Sequence, residues 1–392
     1  MGNKAISYSI LRNKKIAAHM PMLLLLLWLG LSFSEGYERV SQARAPACDY
    51  NNNERTYNCK YIRDTFPKVF YGNYHLKCQH CDIRLFSPHT FQHENSLISV
   101  NVSDSGIQYV SERAFSIFGN VQYIYLQNNR ITNVSRNAFS GLRQVYQLHL
   151  ENNRISDLTP GFANDLQSNS IILSNNKIVE LPHDLFKGVL TLLTLSLDNN
   201  NIKKIHKEAF AGLDSLEYLE LQNNHLCHLP LGLFKDLRTL RVLNLADNKL
   251  TRFSLGTFSG LSQLNGLILA NNSIKVFDGA DLLPLYHLAK LDLSGNIIYY
   301  LDSNGIYVNA PSIRYLHVED NIFSCQLLTN VLQYFKGKGV DIVTNRGRYD
   351  VQNINGIACI GSAVVESVPF EFFMKKVREE TKAEVDTCTG PR

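Results

Sequence analysis

Once its first 34 residues are set aside, this chain of 392 residues has no excess of either charge. Those residues hold Lys4, Arg12, Lys14 and Lys15 and no acid; removing the four bases from 39 Lys plus Arg leaves 35, equal to the 35 Asp plus Glu. A neutral body argues against nucleic acid or an anionic membrane as the main partner. Long hydrophobic runs are scarce too. The apolar run that begins at Met22 reaches roughly a dozen residues before Glu35 stops it, against the ~20 that a spanning helix needs, and no later segment does better. The polar C-terminus lacks the apolar tail of a lipid-anchor signal. Also missing are a nucleophile elbow, a zinc-protease helix motif and a phosphate loop. No enzyme activity, no cofactor and no metal site is expected. At 45% apolar and 19% charged residues, the chain is nonetheless too apolar to be disordered.

What is present begins with a leader. Residues 1–21 form a basic n-region, and Met22 to Leu31 (MLLLLLWLGL) is an h-region of the usual length. Ser32 and Ser34 put small residues at −3 and −1 of a cut before Glu35. Residues 1–34 are therefore expected to be a signal peptide, and the mature chain to be secreted and extracellular.

The chain then repeats itself. Asparagines fall at 129, 153, 176, 200, 224, 248, 272, 296 and 321, spaced by 23 to 25 residues. Around each, apolar residues sit eight, five and three positions before and two after, as in Leu216-Leu219-Leu221-Asn224-Leu226. A further unit, Leu97-Val100-Val102-Ser105-Ile107, has Ser in the Asn place, and Leu76-Cys78-Cys81-Ile83 fits the frame with Cys there. The unit around Asn176 is degenerate, with Ser168 where its first Leu belongs. A second column, Phe115, Phe139, Phe162, Phe186, Phe210, Phe234 and Phe258, follows at the same period, and Leu282 and Ile306 continue it. In-register phenylalanines at solenoid spacing are core.

The unit is LxxLxLxxNxL, and it resembles the leucine-rich repeat. Its alternating part is a short strand with leucines inward and the intervening residues outward. The Asn ends the strand, and its amide can both donate to and accept from loop backbone groups of its own coil and the next. One repeat cannot bury its own apolar face, so stacking must do it, as a parallel sheet curved along the inside. The expected fold is an α/β solenoid, a leucine-rich-repeat horseshoe with ten or eleven strands and cysteine-stapled caps. The boundaries are 35–96 for an N-terminal cap, 97–323 for about ten repeats of 24 residues, 324–361 for a C-terminal cap and 362–392 for a short amphipathic helix and tail.

Eight cysteines stand at 48, 59, 78, 81, 227, 325, 359 and 388. Cys48 and Cys59 bracket ten polar residues, which suits a stapled hairpin and leaves Cys78 and Cys81 to each other; four cysteines allow three pairings. Zinc is the rival reading, since Cys78, His80 and Cys81 with His75 nearby have ligand chemistry, but outside the cell disulfides are favoured. The C-terminal flank, with Cys325, an amphipathic segment (Leu327, Leu328, Val331, Leu332, Phe335) and Cys359, resembles a leucine-rich-repeat C-terminal cap, and the resemblance implies a Cys325–Cys359 bond. Cys227 reads as a buried free thiol. Cys388 lies beyond a stripe of Phe370, Phe373, Met374 and Val377 at i, i+3, i+4, i+7 spacing, with no obvious mate. An intermolecular bond, giving a disulfide-linked dimer, stands beside an intrachain bond within the cap region or to Cys227.

The wording of that cap (NIFSCQLLTNVLQYFKGKGVDIV…NINGIACI) is similar to insect extracellular leucine-rich-repeat proteins, and among them to the leucine-rich immune molecules of mosquitoes. That resemblance implies innate-immune recognition, with another leucine-rich-repeat chain or a complement-like factor as partner. Members of the best-known type carry a long C-terminal coiled coil; here the sequence stops about 30 residues after Cys359, so the coil-less members are nearer. The alternative is an extracellular signalling or adhesion ligand of a cell-surface protein.

Binding is expected on the concave face, through the outward residues of the strands. An N-terminal patch gathers Tyr123, Tyr125, Tyr146, His149 and Glu151. A middle one joins Asp198, Glu217, Tyr218 and Glu220, and Asp292, Tyr315, His317 and Glu319 lie toward the far end. Tyrosine-rich surfaces suit protein recognition, because rigid amphipathic rings give contact area at low entropy cost. His149 and His317 share this face but lie seven repeats apart, about 34 Å at ~4.8 Å per strand, too far to act on one substrate atom. Three glycosylation sequons begin at Asn101, Asn133 and Asn271.

Overall fold

The computed structural model describes residues 47–361 except 67–69, 71, 73, 93–95 and 345–346. The expected signal peptide, the expected amphipathic stripe beyond residue 361 and Cys388 lie outside the described residues. One sheet of 14 strands runs the length of the described chain. Eleven of its strands belong to the repeats, from His75–Gln79 to Tyr315–His317, and the caps add three. At the start Ala47–Asn51 pairs antiparallel with Thr56–Lys60, which then pairs parallel with His75–Gln79. At the end Asp341–Ile342 joins Tyr315–His317 in parallel. The sheet is longer than the ten or eleven strands expected because each cap completes the hydrogen bonds of an otherwise bare edge.

Register follows the repeat. Tyr123 pairs with Gln147, Tyr218 with Val242 and Gly266 with Lys290, so neighbouring coils present equivalent residues side by side. Strand leucines such as Leu195, Leu219 and Leu243 are fully buried, one per coil, and stack into a continuous core. The degenerate unit is repaired locally: Ser168 is fully buried, and its hydroxyl donates to Ser170 O at 3.0 Å. All seven phenylalanines of the second column are buried, with Leu282 and Ile306 beyond them. Phe86, Phe115 and Phe139 contact ring to ring at 4.7 and 5.3 Å between centroids, as do Phe162 with Phe186 and Phe234 with Phe258.

The landmark asparagines tie coil to coil. Asn224 Nδ2 donates to Leu197 O of the preceding coil and Leu221 O of its own, each at 3.0 Å, and its Oδ1 accepts from Ile202 N at 2.9 Å. Asn129, Asn153 and Asn272 do the same, all under one-tenth exposed. Leaving one such buried group unpaired costs about 1–3 kcal/mol, so each side chain stabilises two coils at once. The residue just before the landmark is left-handed, with φ between 53° and 58° at Asn128, Asn152, Asn175, Asn199, Asn223, Asp247 and Asn271. Asn and Asp tolerate that region better than other side chains. Gly295 takes the same place (φ 64°), where a Cβ would come within 2.0 Å of Asn271 Oδ1.

Among the described residues, three disulfides have both partners in view: Cys48–Cys59, Cys78–Cys81 and Cys325–Cys359. The Cys78–Cys81 bond uses both thiolates that a zinc site would need, and among the described residues no group of three or more His, Cys, Asp or Glu is placed to hold a metal ion. The C-terminal cap is the helix Cys325–Gly337, capped by the Ser324 hydroxyl accepting from Leu327 N at 3.2 Å. It buries Leu328, Val331 and Phe335 over the last coil, with Leu327 and Leu332 at its margin. Cys227 departs from expectation. It is disulfide-bonded, not a free thiol, and it is only half-buried, on a turn that leaves the strand side of its coil. Among the described residues no helix is long and apolar enough to cross a membrane.

Candidate functional site

Of the outward residues named from the sequence, Tyr123, Tyr125, Tyr146, His149, Tyr218, Glu220, Asp292, Tyr315 and His317 lie on strands of the sheet, Glu151, Asp198, Glu217 and Glu319 flank strand ends, and the structure does not treat them alike. At the N-terminal end the rings form one cluster. Tyr123 and Tyr125, on the strand Tyr123–Tyr125, stack nearly parallel with centroids 6.4 Å apart; Tyr146 meets Tyr123 edge-on at 5.6 Å, and His149 lies over Tyr125 at 4.9 Å. His149 is fixed from both sides, with Nδ1 3.0 Å from Glu151 Oε1 and Nε2 3.3 Å from Gln147 Oε1. Burial pushes the Tyr125 hydroxyl above the ordinary tyrosine range, and Tyr123 adds to the shift, so this phenol stays neutral and able to donate. Tyr146 is 44% exposed, and the other two rings are half-buried. Gln127 Oε1 and Glu151 Oε2, one coil apart, are buried with no hydrogen-bond partner. This corner therefore combines rigid rings with acceptor capacity that the protein itself leaves unused.

The middle patch is partly neutralised from within. Asp198 accepts from the Ser174 hydroxyl and the Asn199 amide. Glu217 is paired with Arg241 at 3.2 Å. Sequence reading missed Arg241, although its signal was there: 24 residues, one coil, separate the two. Glu180 and Lys204, also one coil apart, pair in the same way at 3.4 Å. Tyr218 is exposed and Glu220 half-buried.

The far end corrects the expectation. Asp292, His317 and Glu319 were expected on an open face, yet each is under one-tenth exposed. Asp292 Oδ1 accepts from the backbone and hydroxyl of Ser294, and His317 Nδ1 sits 3.9 Å from Glu319 Oε1. The added cap strand Asp341–Ile342 pairs with the strand that carries His317, and Asp292 lies one strand further in. Tyr315 alone of this group is exposed, at 46%.

The profile of the family described as Leucine rich repeat matches residues 95–155, 169–226, 221–274 and 238–298. The fold is a leucine-rich-repeat solenoid. Its repeats start before the matched span, since the parallel sheet already includes His75–Gln79. Among solved structures, a chain of the octameric complex of Latrophilin 3, Unc5D and FLRT2 (LRR) is similar at TM-score 0.62 and 22% identity, covering 78% of this chain and 94% of that one. A chain of the TLR13–ssRNA13 complex matches at TM-score 0.59 and 22% identity over 70% of this chain. The Toll–Spatzle complex of Drosophila matches at 0.54 and 22% over 69%. This chain spans 41% and 40% of the length of those last two. Comparison with curated protein sequences gives no match.

Proposed function

We propose that this leucine-rich-repeat solenoid is an extracellular protein-recognition module that binds through the N-terminal part of its sheet's open face. The observation that carries this reading is the cluster of Tyr123, Tyr125, Tyr146 and His149, locked ring on ring and by hydrogen bonds to Glu151 and Gln147. Pre-organised aromatic side chains are the usual anchors of protein interfaces, because little rotamer freedom is lost when they are covered. The TLR13 complex holds single-stranded RNA; here Glu151, Asp198, Glu217 and Glu220 along the same face would repel a phosphate backbone. A protein is the better partner.

The role we assign is recognition or scaffolding of innate-immune factors, in keeping with the likeness of the cap to mosquito immune molecules. A signalling or adhesion ligand is the second reading, favoured by the chain from the FLRT2 complex, the one of these three spanned nearly whole. Among the sequons, Asn133 is exposed on a side strand and suits a glycan. Asn101 is half-buried with Oδ1 bound by Ser103, and Asn271 Nδ2 already donates to Asp247. Affinity capture from the native extracellular fluid, run with wild type and with Tyr125→Ala/His149→Ala, tests the reading. A protein retained by wild type and lost by the double variant supports it, and equal retention overturns it.

A further inference from the structure

Away from the sheet's open face, the turns that follow each landmark asparagine form a second surface, and its two halves differ. Four residues after the landmark stand Asn133, Asp157, Glu180 and Lys204, then His228, Arg252, Val276 and Tyr300; seven after it stand Arg136, Pro160, His183 and Lys207, then Leu231 and Leu255. The first half is polar, preceded on the same side strands by the exposed Leu85 and Tyr109. The second half exposes Leu231 at 58%, Leu255 at 70%, Val276 at 39% and Tyr300 at 51%. Short side strands pair coil to coil here, as in Glu180–Leu181 with Lys204–Ile205 and Val276–Phe277 with Tyr300–Leu301. No strand forms at 228–229 or 252–253. At that break a cavity of about 170 Å³ opens, lined by His228, Leu229, Arg252, Phe253, Ser254 and Thr257. Cys227, which is disulfide-bonded, adjoins it.

The described chain ends on this same side. Ile360 N donates to Phe323 O at 3.0 Å, and Cys325 N donates to Ile360 O at 3.2 Å. Phe323 and Ser324 stand two and three residues after Asn321, as Leu226 and Cys227 stand after Asn224. Four coils separate the two places, about 19 Å at ~4.8 Å per strand. Between Gly361 and Cys388 lie 26 residues, enough to cover that span even if half are helical at ~1.5 Å each. Six of the eight cysteines pair among themselves, Cys227 is bonded, and the chain has one more cysteine, Cys388.

We propose that residues 362–392 run back along this side face, fastened by a Cys227–Cys388 disulfide, and lay the stripe of Phe370, Phe373, Met374 and Val377 over the apolar strip from Tyr300 to Leu229. The occupant is the chain's own C-terminal segment, because an isolated helix of about 14 residues is marginal in water and needs a docking face. Forming the bond joins two thiol sulfurs and releases two protons and two electrons to a disulfide oxidant of the secretory route, by thiol–disulfide exchange. The segment would then cover the apolar strip of this second half. It would leave the cluster around Tyr125 open.

Non-reducing peptide mapping of the full-length secreted protein tests the bond. The expected result is one cross-linked peptide pair joining Cys227 to Cys388 in a chain that runs as a monomer. Cys227 or Cys388 linked to a second chain, or Cys388 recovered as a free thiol, overturns it. Hydrogen exchange tests the docking in the full chain carrying Cys388→Ser and Phe373→Glu. Amides at 227–231 and 252–257 should exchange about tenfold faster than in wild type, as local unfolding free energies allow, with 123–149 unchanged. Unaltered exchange at 252–257 rules the docking out.

Discussion

The landmark asparagines and the outward strand residues lie a few positions apart in every coil, and the structure uses them in opposite ways. Asn129, Asn153, Asn224 and Asn272 are the same residue in the same place, buried, with donors and acceptor all engaged. The outward places hold Tyr, His, Ser, Ile, Glu and Lys in turn, and two acceptors at Gln127 and Glu151 go unpaired. A solenoid separates its two tasks by column: the repeated column makes the fold, and the varied column is free to be a surface. Where a varied residue is nevertheless drawn under cover, as at Asp292 and His317, it leaves the candidate site.

Breaking the repeated column should have the largest effect. Asn224→Ala removes two donated bonds and one accepted bond between buried groups, at about 1–3 kcal/mol for each group left unpaired. It should lower the melting temperature by several degrees with partner binding retained below the transition; an unchanged melting curve, read by circular dichroism, would dissolve the distinction between the columns. In the varied column, Glu217→Ala should be nearly silent for stability, within about 1 kcal/mol, because its pair with Arg241 is largely exposed. Urea midpoints of the two proteins decide this.

The repeated column was legible from sequence because it is periodic, and so were the cap bonds, which cysteine positions and the cap resemblance together suggested. The left-handed column of Asn128, Asn152, Asn175, Asn199, Asn223 and Asp247 was equally periodic and went unread. The burial of Asp292, His317 and Glu319 was not legible. Alternation assigns a residue to a face, and it says nothing about how far neighbouring groups cover it there. Nor could sequence decide the state of Cys227, whose chemistry depends on a residue 161 positions away in the chain if Cys388 is its mate. The tyrosine cluster was legible as a patch, but the ring-on-ring contacts and the clamp on His149 depend on rotamers that no periodicity encodes.

Surface chemistry sharpens the comparison further. Intact mass of secreted protein before and after glycosidase should reveal a glycan at Asn133, in an exposed side strand, and an unmodified Asn133 in insect-cell material would count against the proposed site. A pH-dependent effect is expected at Asp281, in the turn Gly279–Leu282, where burial, opposed by a backbone hydrogen bond and aided by Asp278, pushes the carboxyl up to about 6. Its folded value lies above the unfolded one of ~3.9, so its stabilising contribution is complete below about pH 4 and is lost as pH rises through about 6. Melting temperatures of wild type relative to Asp281→Asn should fall between pH 4 and 7; a constant difference would contradict the shift.

The most direct test of the central claim is the affinity of the captured partner for wild type and for Tyr125→Ala/His149→Ala, by titration calorimetry on proteins of matched melting temperature. Losing two interface anchors should weaken the dissociation constant at least about tenfold, or ~1.4 kcal/mol. Equal affinities at equal stability would show that the ring cluster is not the binding surface.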